Sequence, residues 1–271
     1  YCLMTQMNSV KVSNGQYRPF HLILKVFYLF IYFHKILNLT EIVDLVKGFS
    51  YSYAMMQKRG VELIIFDLDG TLIDSRIDIA NSVNYTLKQL GLNPLDEKII
   101  LGYIGDGVRS LIERALSPSN LNLFEKGLST FLSYYSEHLL DNTFFFPEVM
   151  ETLNFFSYKK MAVISNKPEV LSVNTLEGLG ISNFFKSVLG GDSLEKKKPS
   201  PEPVLKVLED LNVGREKAII VGDSYIDIEA GKGAGIMTCG VTYGFKSREA
   251  ILKAEPDFMI DHLIELKEII Y

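Results

Sequence analysis

The sequence predicts an α/β protein: a parallel sheet whose strands alternate with helices, interrupted after its first strand by a block of helices. Three observations carry that expectation. Val61 to Phe66 is a short, branched, apolar run that reads as a strand buried on both faces. From the strand that ends at Ser165 onward, apolar runs of strand length alternate with segments of helical length, as parallel strands joined by helical crossovers require. Between these two parts, residues 74–146 carry helical spacing and no strand alternation.

The first strand delivers Asp67 and Asp69, and Gly70 with Thr71 breaks it immediately afterwards. Residues two apart in extended backbone point the same way, so both carboxylates can face one site. In a parallel sheet that site is the crevice at the carboxyl ends of the strands. Two carboxylates there repel unless a cation sits between them or one is protonated. The pair therefore suggests a divalent metal, a nucleophile with an acid/base partner, or both; a solvated turn is the plainer alternative.

The inserted block opens with one amphipathic helix, in which Ile77, Ala80, Val83, Tyr85, Leu87 and Leu90 form the apolar face and Gly91 closes it. GVRSLIERAL, after Gly105, predicts a second helix and LNLFEKGLSTFLSYYSEHLL a long third. Beyond Ser165 the order is PEVLSVNTLEGLG helix, SVLGG strand, PEPVLKVLEDLN helix, KAIIVGD strand, SYIDIEAGKGAG helix and IMTCGVTYG strand. Taken singly, the polar residues at these junctions have ordinary readings. Ser165 suits a helix cap, Lys196 to Lys198 a solvated charge run, and Asp223 with Asp227 a helix N-terminus.

Four segments in order change that reading: FDLDGTL (66–72), MAVISNKP (161–168), KKKPSPEP (196–203) and IIVGDSYIDIEAG (219–231). On these motifs the sequence, over about residues 60–271, resembles the haloacid dehalogenase superfamily and, within it, the phosphoglycolate phosphatase-like group. The resemblance implies a Rossmann-like parallel-sheet core, residues 60–73 and 147–271, with an inserted α-helical cap at 74–146 that closes over the site. IGDGVRSLIERAL, VTYGF and the Pro256–Asp257 pair add to the likeness. A departure falls at FFFPEV, where many relatives carry Gly and this chain has Glu148.

Phosphoryl transfer needs positioning and charge neutralisation, and a carboxylate can split it into two displacements through an aspartyl-phosphate. Asp67 is assigned as nucleophile, and Asp69 as general acid and then base. Dehalogenases, whose halide leaving group needs no proton, lack the second aspartate, so Asp69 favours phosphate esters. Ser165, with Thr71 and Asn166, is expected to bind the phosphoryl group, and Lys198, directly before Pro199, to neutralise it; Lys197 is the fallback. Mg²⁺ is the expected cofactor, held by Asp67, Asp223 and, as the family implies, the Asp69 backbone carbonyl. Asp227 is a further ligand or a partner of one. Arg109 is the expected cap contact to a substrate carboxylate or phosphate; a solvated helical arginine is the alternative.

The resemblance points to a small phosphate ester as substrate, 2-phosphoglycolate first. A pyrophosphatase, a nucleotidase, a sugar-phosphate phosphatase or a phosphomutase remain alternatives within the superfamily. A membrane-associated binding protein that has kept the fold is the alternative outside enzymes, and the full acidic set argues against it. The chain is acidic overall, with net charge −5, which gives no encouragement to nucleic-acid binding. GKGAG (231–235) follows a helix instead of opening one and so is no dinucleotide loop. Cys2 and Cys239 lack metal-ligand spacing, and His21, His34, His138 and His262 form no cluster; so few cysteines fit a cytoplasmic protein.

Residues 1–59 differ from the rest, with seven basic residues against two acidic. HLILKVFYLFIYFHKILNL is apolar and aromatic, but its uncharged run from Val26 to Phe33 falls short of the ~20 residues that span a bilayer. Membrane-surface contact through residues 20–39 is one reading and a packed extra helix another. The favoured expectation is an upstream extension of the reading frame, because MMQKRGVELIIFDLDGTL from Met55 resembles a natural start. Oligomeric state has no sequence signal.

Overall fold

Six short apolar runs pair into one sheet. The strands are β1 (Leu63–Phe66), β4 (Lys160–Ile164), β5 (Ser187–Leu189), β6 (Ala218–Gly222), β7 (Met237–Val241) and β8 (Phe258–Ile260). A two-stranded ribbon of β2 (Ile73–Asp74) and β3 (Phe144–Phe145) stands apart from it. The protein's structure, a computed structural model, describes residues 59–271. The expectations for the basic segment before residue 59, with its surface-binding stretch, Cys2, His21 and His34, lie outside the described residues.

The large sheet has the order β5-β4-β1-β6-β7-β8 and every pairing in it is parallel. Phe66 lies opposite Val163 on one side and Val221 on the other, so the chain leaves β1, β4 and β6 at the same edge. That register places the residues following these three strands around one crevice. Alternate side chains fill two cores, as burial of both sheet faces demands. Ile64, Phe66, Val163 and Val221 pack with Leu153, Phe156 and Leu266 on one face. Leu63, Ile65, Ile164 and Ile220 pack with Val204, Val207, Ala230 and Ala234 on the other.

The helices of the insertion are α1 (Arg76–Gln89), α2 (Glu97–Tyr103), α3 (Val108–Leu116) and α4 (Phe124–Glu137). They supply most of a third apolar cluster, with Ile79, Val83, Ile100, Ile112, Phe131 and Tyr135 among its members and Leu171 joining from outside the insertion. The expected apolar face of α1 is partly corrected: Ile77 is 43% and Tyr85 36% exposed, and Ile79 is buried instead. Tyr85 stacks on Tyr134 of α4, ring centroids 3.8 Å apart, so an aromatic pair outside the core accounts for its place in the pattern. The long third helix is also shorter than expected, because Pro118–Leu123 forms a 3-10 turn before α4 begins.

Two devices join the start and end of the insertion. β2 and β3 pair antiparallel, Ile73 opposite Phe145. The buried Asp78 carboxylate, near the start of α1, accepts hydrogen bonds from the Asn142 backbone and side chain and from Thr143 Oγ1 at 2.8–3.0 Å. Glu148, the departure noted at FFFPEV, has φ +66°, the left-handed region that a residue without a Cβ occupies at no steric cost.

The remaining helices are α5 (Val149–Phe155), α6 (Glu169–Gly178), α7 (Glu202–Asp210), α8 (Tyr225–Ala234), α9 (Arg248–Lys253) and α10 (Leu266–Ile269). Cys239 in β7 is buried, and burial pushes its thiol pKa up, as suits an inert core cysteine. Among the described residues no helix is long and apolar enough to cross a membrane.

Candidate active site

Asp67 follows β1, Ser165 follows β4 and Asp223 follows β6, so three strand ends deliver a carboxylate, a hydroxyl and a second carboxylate to one crevice. Asp227 joins them from the first turn of α8. There it caps the helix: its Oδ2 accepts from the Ser224 backbone N at 3.1 Å and from Ser224 Oγ at 2.9 Å. Asp67, Asp223 and Asp227 each present an oxygen within 4.8 Å of the other two, and all three are buried.

One ammonium sits against this acidic cluster. Lys198 Nζ donates to Asp67 Oδ1 and Asp227 Oδ1, both at 2.7 Å, and to the Ile164 carbonyl at 2.5 Å. Its side chain is 2% exposed, so water does little to screen the pairs. Burial pushes the Lys198 pKa down, but Asp227 and Asp67 outweigh burial and hold it above its ordinary value. Burial pushes Asp67 well up; Lys198 opposes this, and the charges of Asp227 and Asp223 add to it. Asp223 is pushed up to about 7, first by burial and then by Asp227. Three buried carboxylates with one ammonium leave negative charge uncompensated, and the donor set is all oxygen, the kind that suits a hard divalent cation. Both Asp227 oxygens are occupied by Lys198 and Ser224, whereas Asp223 takes only the Phe245 backbone N–H, at 2.5 Å.

Room for this cluster depends on backbone. Gly70, at φ +97°, lies so close to Asp223 that a Cβ there would collide with the carboxylate. This gives the glycine of the first motif a steric reason beyond its turn.

Asp69 occupies a different environment. Its Oδ1 accepts from Ser75 Oγ at 2.6 Å and from Lys167 Nζ at 2.9 Å. Lys167 also donates to Tyr135 of α4 at 2.6 Å, which brings the insertion into direct contact with the sheet end. Two aspartates separated by one residue thus have separate partners, the arrangement that lets neighbouring carboxylates take different roles.

A pocket opens above these residues, lined on one side by Asp67, Asp69 and Ser165 and on the other by Ile79, Leu111 and Phe131 of the insertion. Three core side chains reach consecutive carbonyls of its rim. Lys246 donates to Ile104 at 2.8 Å, Asn166 to Gly105 at 3.0 Å and Lys197 to Asp106 at 2.6 Å. Asn166 lines the pocket with its Oδ1 buried and unpartnered, whereas Thr71, whose hydroxyl is also buried and unpartnered, is not among the lining residues.

Arg109 lies elsewhere. It is 65% exposed, pairs with Glu125 at 3.4 Å and stands over the Phe124 ring at 4.8 Å. Val108 and Leu111 are the residues of α3 that line the pocket. Sequence reasoning passed over Lys167, Ser75, Tyr135 and Lys246. Lys167 had a signal, since it lies inside SNKP; Tyr135 had none beyond its helical spacing.

The comparisons with known proteins agree with this geometry. Residues 64–241 match the family of haloacid dehalogenase-like hydrolases. A phosphoglycolate phosphatase of Aquifex aeolicus is 42% identical over 208 residues, covering 76% of this chain and 95% of the relative. A phosphoglycolate phosphatase of Neisseria meningitidis is 38% identical over 218 residues, 77% of this chain and 93% of the relative. The crystal structure of a predicted phosphoglycolate phosphatase from Haemophilus somnus superimposes with a TM-score of 0.74 at 31% identity, covering 78% of this chain and 99% of that one. With the parallel sheet and the acidic crevice at its carboxyl edge, these matches show that the chain belongs to the haloacid dehalogenase-like hydrolases, among their phosphatases.

Proposed function

We propose that the protein is a Mg²⁺-dependent phosphomonoesterase that hydrolyses 2-phosphoglycolate through an aspartyl-phosphate on Asp67. The observation that carries the reading is the division between the two aspartates. Asp67 is fixed by Lys198 inside the acidic cluster, while Asp69 is held apart by Ser75 and Lys167. The substrate comes from the named activity of the relatives.

In this reading an Asp67 oxygen attacks phosphorus and the ester oxygen leaves with a proton from Asp69; Asp69 then takes a proton from the water that releases phosphate. Ser165 and nearby backbone N–H groups hold the phosphoryl oxygens, and Lys198 offsets their charge. Asp67 and Asp223 would hold the cation, with Asp227 keeping Lys198 and Ser224 in place. The bound cation supplies neutralisation of phosphoryl charge. The helices of residues 74–146 act as a cap that shields the reaction from water.

The test is phosphate release, with and without Mg²⁺, from a panel of phosphomonoesters and pyrophosphate. The reading expects 2-phosphoglycolate to lead in kcat/KM by about a hundredfold, or about 2.7 kcal/mol of transition-state preference. A flat profile overturns the substrate assignment, and no release from any ester overturns the enzyme reading.

Two further outcomes follow from the geometry. Asp69→Asn lowers kcat on 2-phosphoglycolate by about 10²–10⁴-fold, the usual worth of a general acid. The loss of phosphoryl transfer is much smaller with p-nitrophenyl phosphate, whose leaving group needs no proton; equal losses on single-turnover measurement would contradict the role. The second outcome concerns the cation. In the metal-free protein Asp223 takes up a proton near pH 7 that the unfolded chain, with an ordinary value of 3.8, releases earlier. The folded state therefore loses stability as pH rises from about 4 to 7 and bears the full cost of the ionised carboxylate above that. Mg²⁺ removes that cost, so it raises Tm more at pH 8 than at pH 6, where it must displace a proton. Thermal denaturation at the two pH values checks this.

A further inference from the structure

The Tyr135 side chain has a donor left over. Tyr135 sits on α4, is 1% exposed and lines the pocket beside Phe131. Its oxygen accepts from Lys167 Nζ at 2.6 Å, so its own O–H must point elsewhere. Among the described residues the Lys167 contact is the one hydrogen bond of this hydroxyl, and in it the hydroxyl accepts. Burial pushes the hydroxyl up to about 12, so it keeps the proton at working pH. A buried donor left unpaired is costly, and one that lines a pocket is relieved when a ligand brings an acceptor.

Position says which acceptor. Lys167 links Tyr135 to Asp69, the residue that meets the ester oxygen in the proposed mechanism. In 2-phosphoglycolate a single methylene separates that oxygen from a carboxylate. A substrate seated with its ester oxygen on Asp69 therefore brings its carboxylate to the next donors along the wall. Lys167 is bonded to Asp69 and Tyr135 themselves, whereas the other cations lining the pocket are bonded away from that pair. Lys198 is spent on Asp67, Asp227 and the Ile164 carbonyl, and Lys246 bonds the Ile104 carbonyl at the rim.

We propose that Tyr135 is a specificity-determining residue, whose hydroxyl donates to the carboxylate of the leaving group while the adjacent Lys167 ammonium offsets its charge. The proposal rests on the reading of 2-phosphoglycolate as substrate. It gives the insertion a direct part in substrate choice through a buried side chain of α4.

The experiment compares kcat/KM for 2-phosphoglycolate with that for ethyl phosphate, which replaces the carboxylate by a methyl group, in the full chain and in Tyr135→Phe. Phe keeps the ring packing of the insertion core. The expected result is a fall in the ratio of the two kcat/KM values by about tenfold to a hundredfold, the worth of one hydrogen bond to a charged group. An unchanged ratio overturns the role of Tyr135. Should the variant fail to fold, the unaltered protein gives the second test. Moving the carboxylate one methylene further, in the phosphate ester of 3-hydroxypropanoate, lowers kcat/KM by tenfold or more if the donor is fixed on α4; equal turnover overturns the proposal. Absence of any release from 2-phosphoglycolate by the unaltered protein marks failure of the substrate reading itself, whereas release with an unchanged ratio marks failure of the Tyr135 role alone.

Discussion

Asp67→Asn loses turnover by about 10⁴-fold or more and melts no lower than the unaltered protein. The activity loss is that of removing a nucleophile on which the other groups act as a unit. The stability expectation comes from the same geometry. Asp67 lies within 4.8 Å of two other buried carboxylates, and burial with their charges pushes its pKa up, so its ionised form is a burden on the folded state. Asn has nearly the same shape and no charge. Substantial turnover in the variant would sink the assignment, and collapse of the fold would show that the Asp67–Lys198 pair is needed for structure first. Initial rates with thermal denaturation on the same sample separate the two.

Lys198→Met is expected to damage both activity and stability. The substitution removes the one ammonium that, among the described residues, bonds Asp67 and Asp227, and it takes a donor from the Ile164 carbonyl. Breaking a buried ion pair from one side costs about 3–5 kcal/mol, because the remaining buried charge loses its counter-ion. Loss of one charge-stabilising contact to the reacting group lowers kcat by about 10²–10³-fold. Urea denaturation measures the first and steady-state kinetics the second. Mg²⁺ returns part of the stability, since a cation at the same carboxylates replaces some of the missing charge. Lys197→Met is the control: Lys197 reaches the Asp106 carbonyl at the pocket rim, away from the acidic cluster. A larger loss in Lys197→Met than in Lys198→Met contradicts the account.

What the sequence made legible follows from how local each signal is. The strand expected at Val61–Phe66 is found two residues shorter, at Leu63–Phe66, because an unbroken run of branched apolar residues marks a buried strand, and Asp67 and Asp69 both line the pocket beyond its end. The parallel order of the sheet follows from alternation of strands and helices. Lys198 was identified only because it precedes Pro199 within a recognisable motif; by charge pattern alone the three lysines are equivalent.

Features set by tertiary geometry were beyond reach. The face of α1 was misread at Ile77 and Tyr85, because an exposed aromatic that stacks on a neighbouring helix follows the same spacing as a core residue. α2 is a seven-residue helix, too short to show a period. Arg109 lies on the helix that lines the pocket, but α3 turns Val108 and Leu111 toward it and leaves the arginine to Glu125 and Phe124. Lys167 and Tyr135 lie 32 residues apart and meet only through the packing of the insertion on the sheet end. Glu148 was visible as a departure from the family resemblance, but its positive φ is a backbone property that no residue type announces.

The central claim is that Asp67 forms a covalent intermediate with the phosphoryl group of 2-phosphoglycolate. The stereochemical course at phosphorus tests it most directly and does not depend on the intermediate accumulating. With a phosphorothioate analogue of 2-phosphoglycolate made chiral by oxygen isotopes, hydrolysed in isotopically labelled water, two successive in-line displacements return the original configuration. The account predicts retention; inversion would mean that water attacks the ester directly and that Asp67 is not the nucleophile.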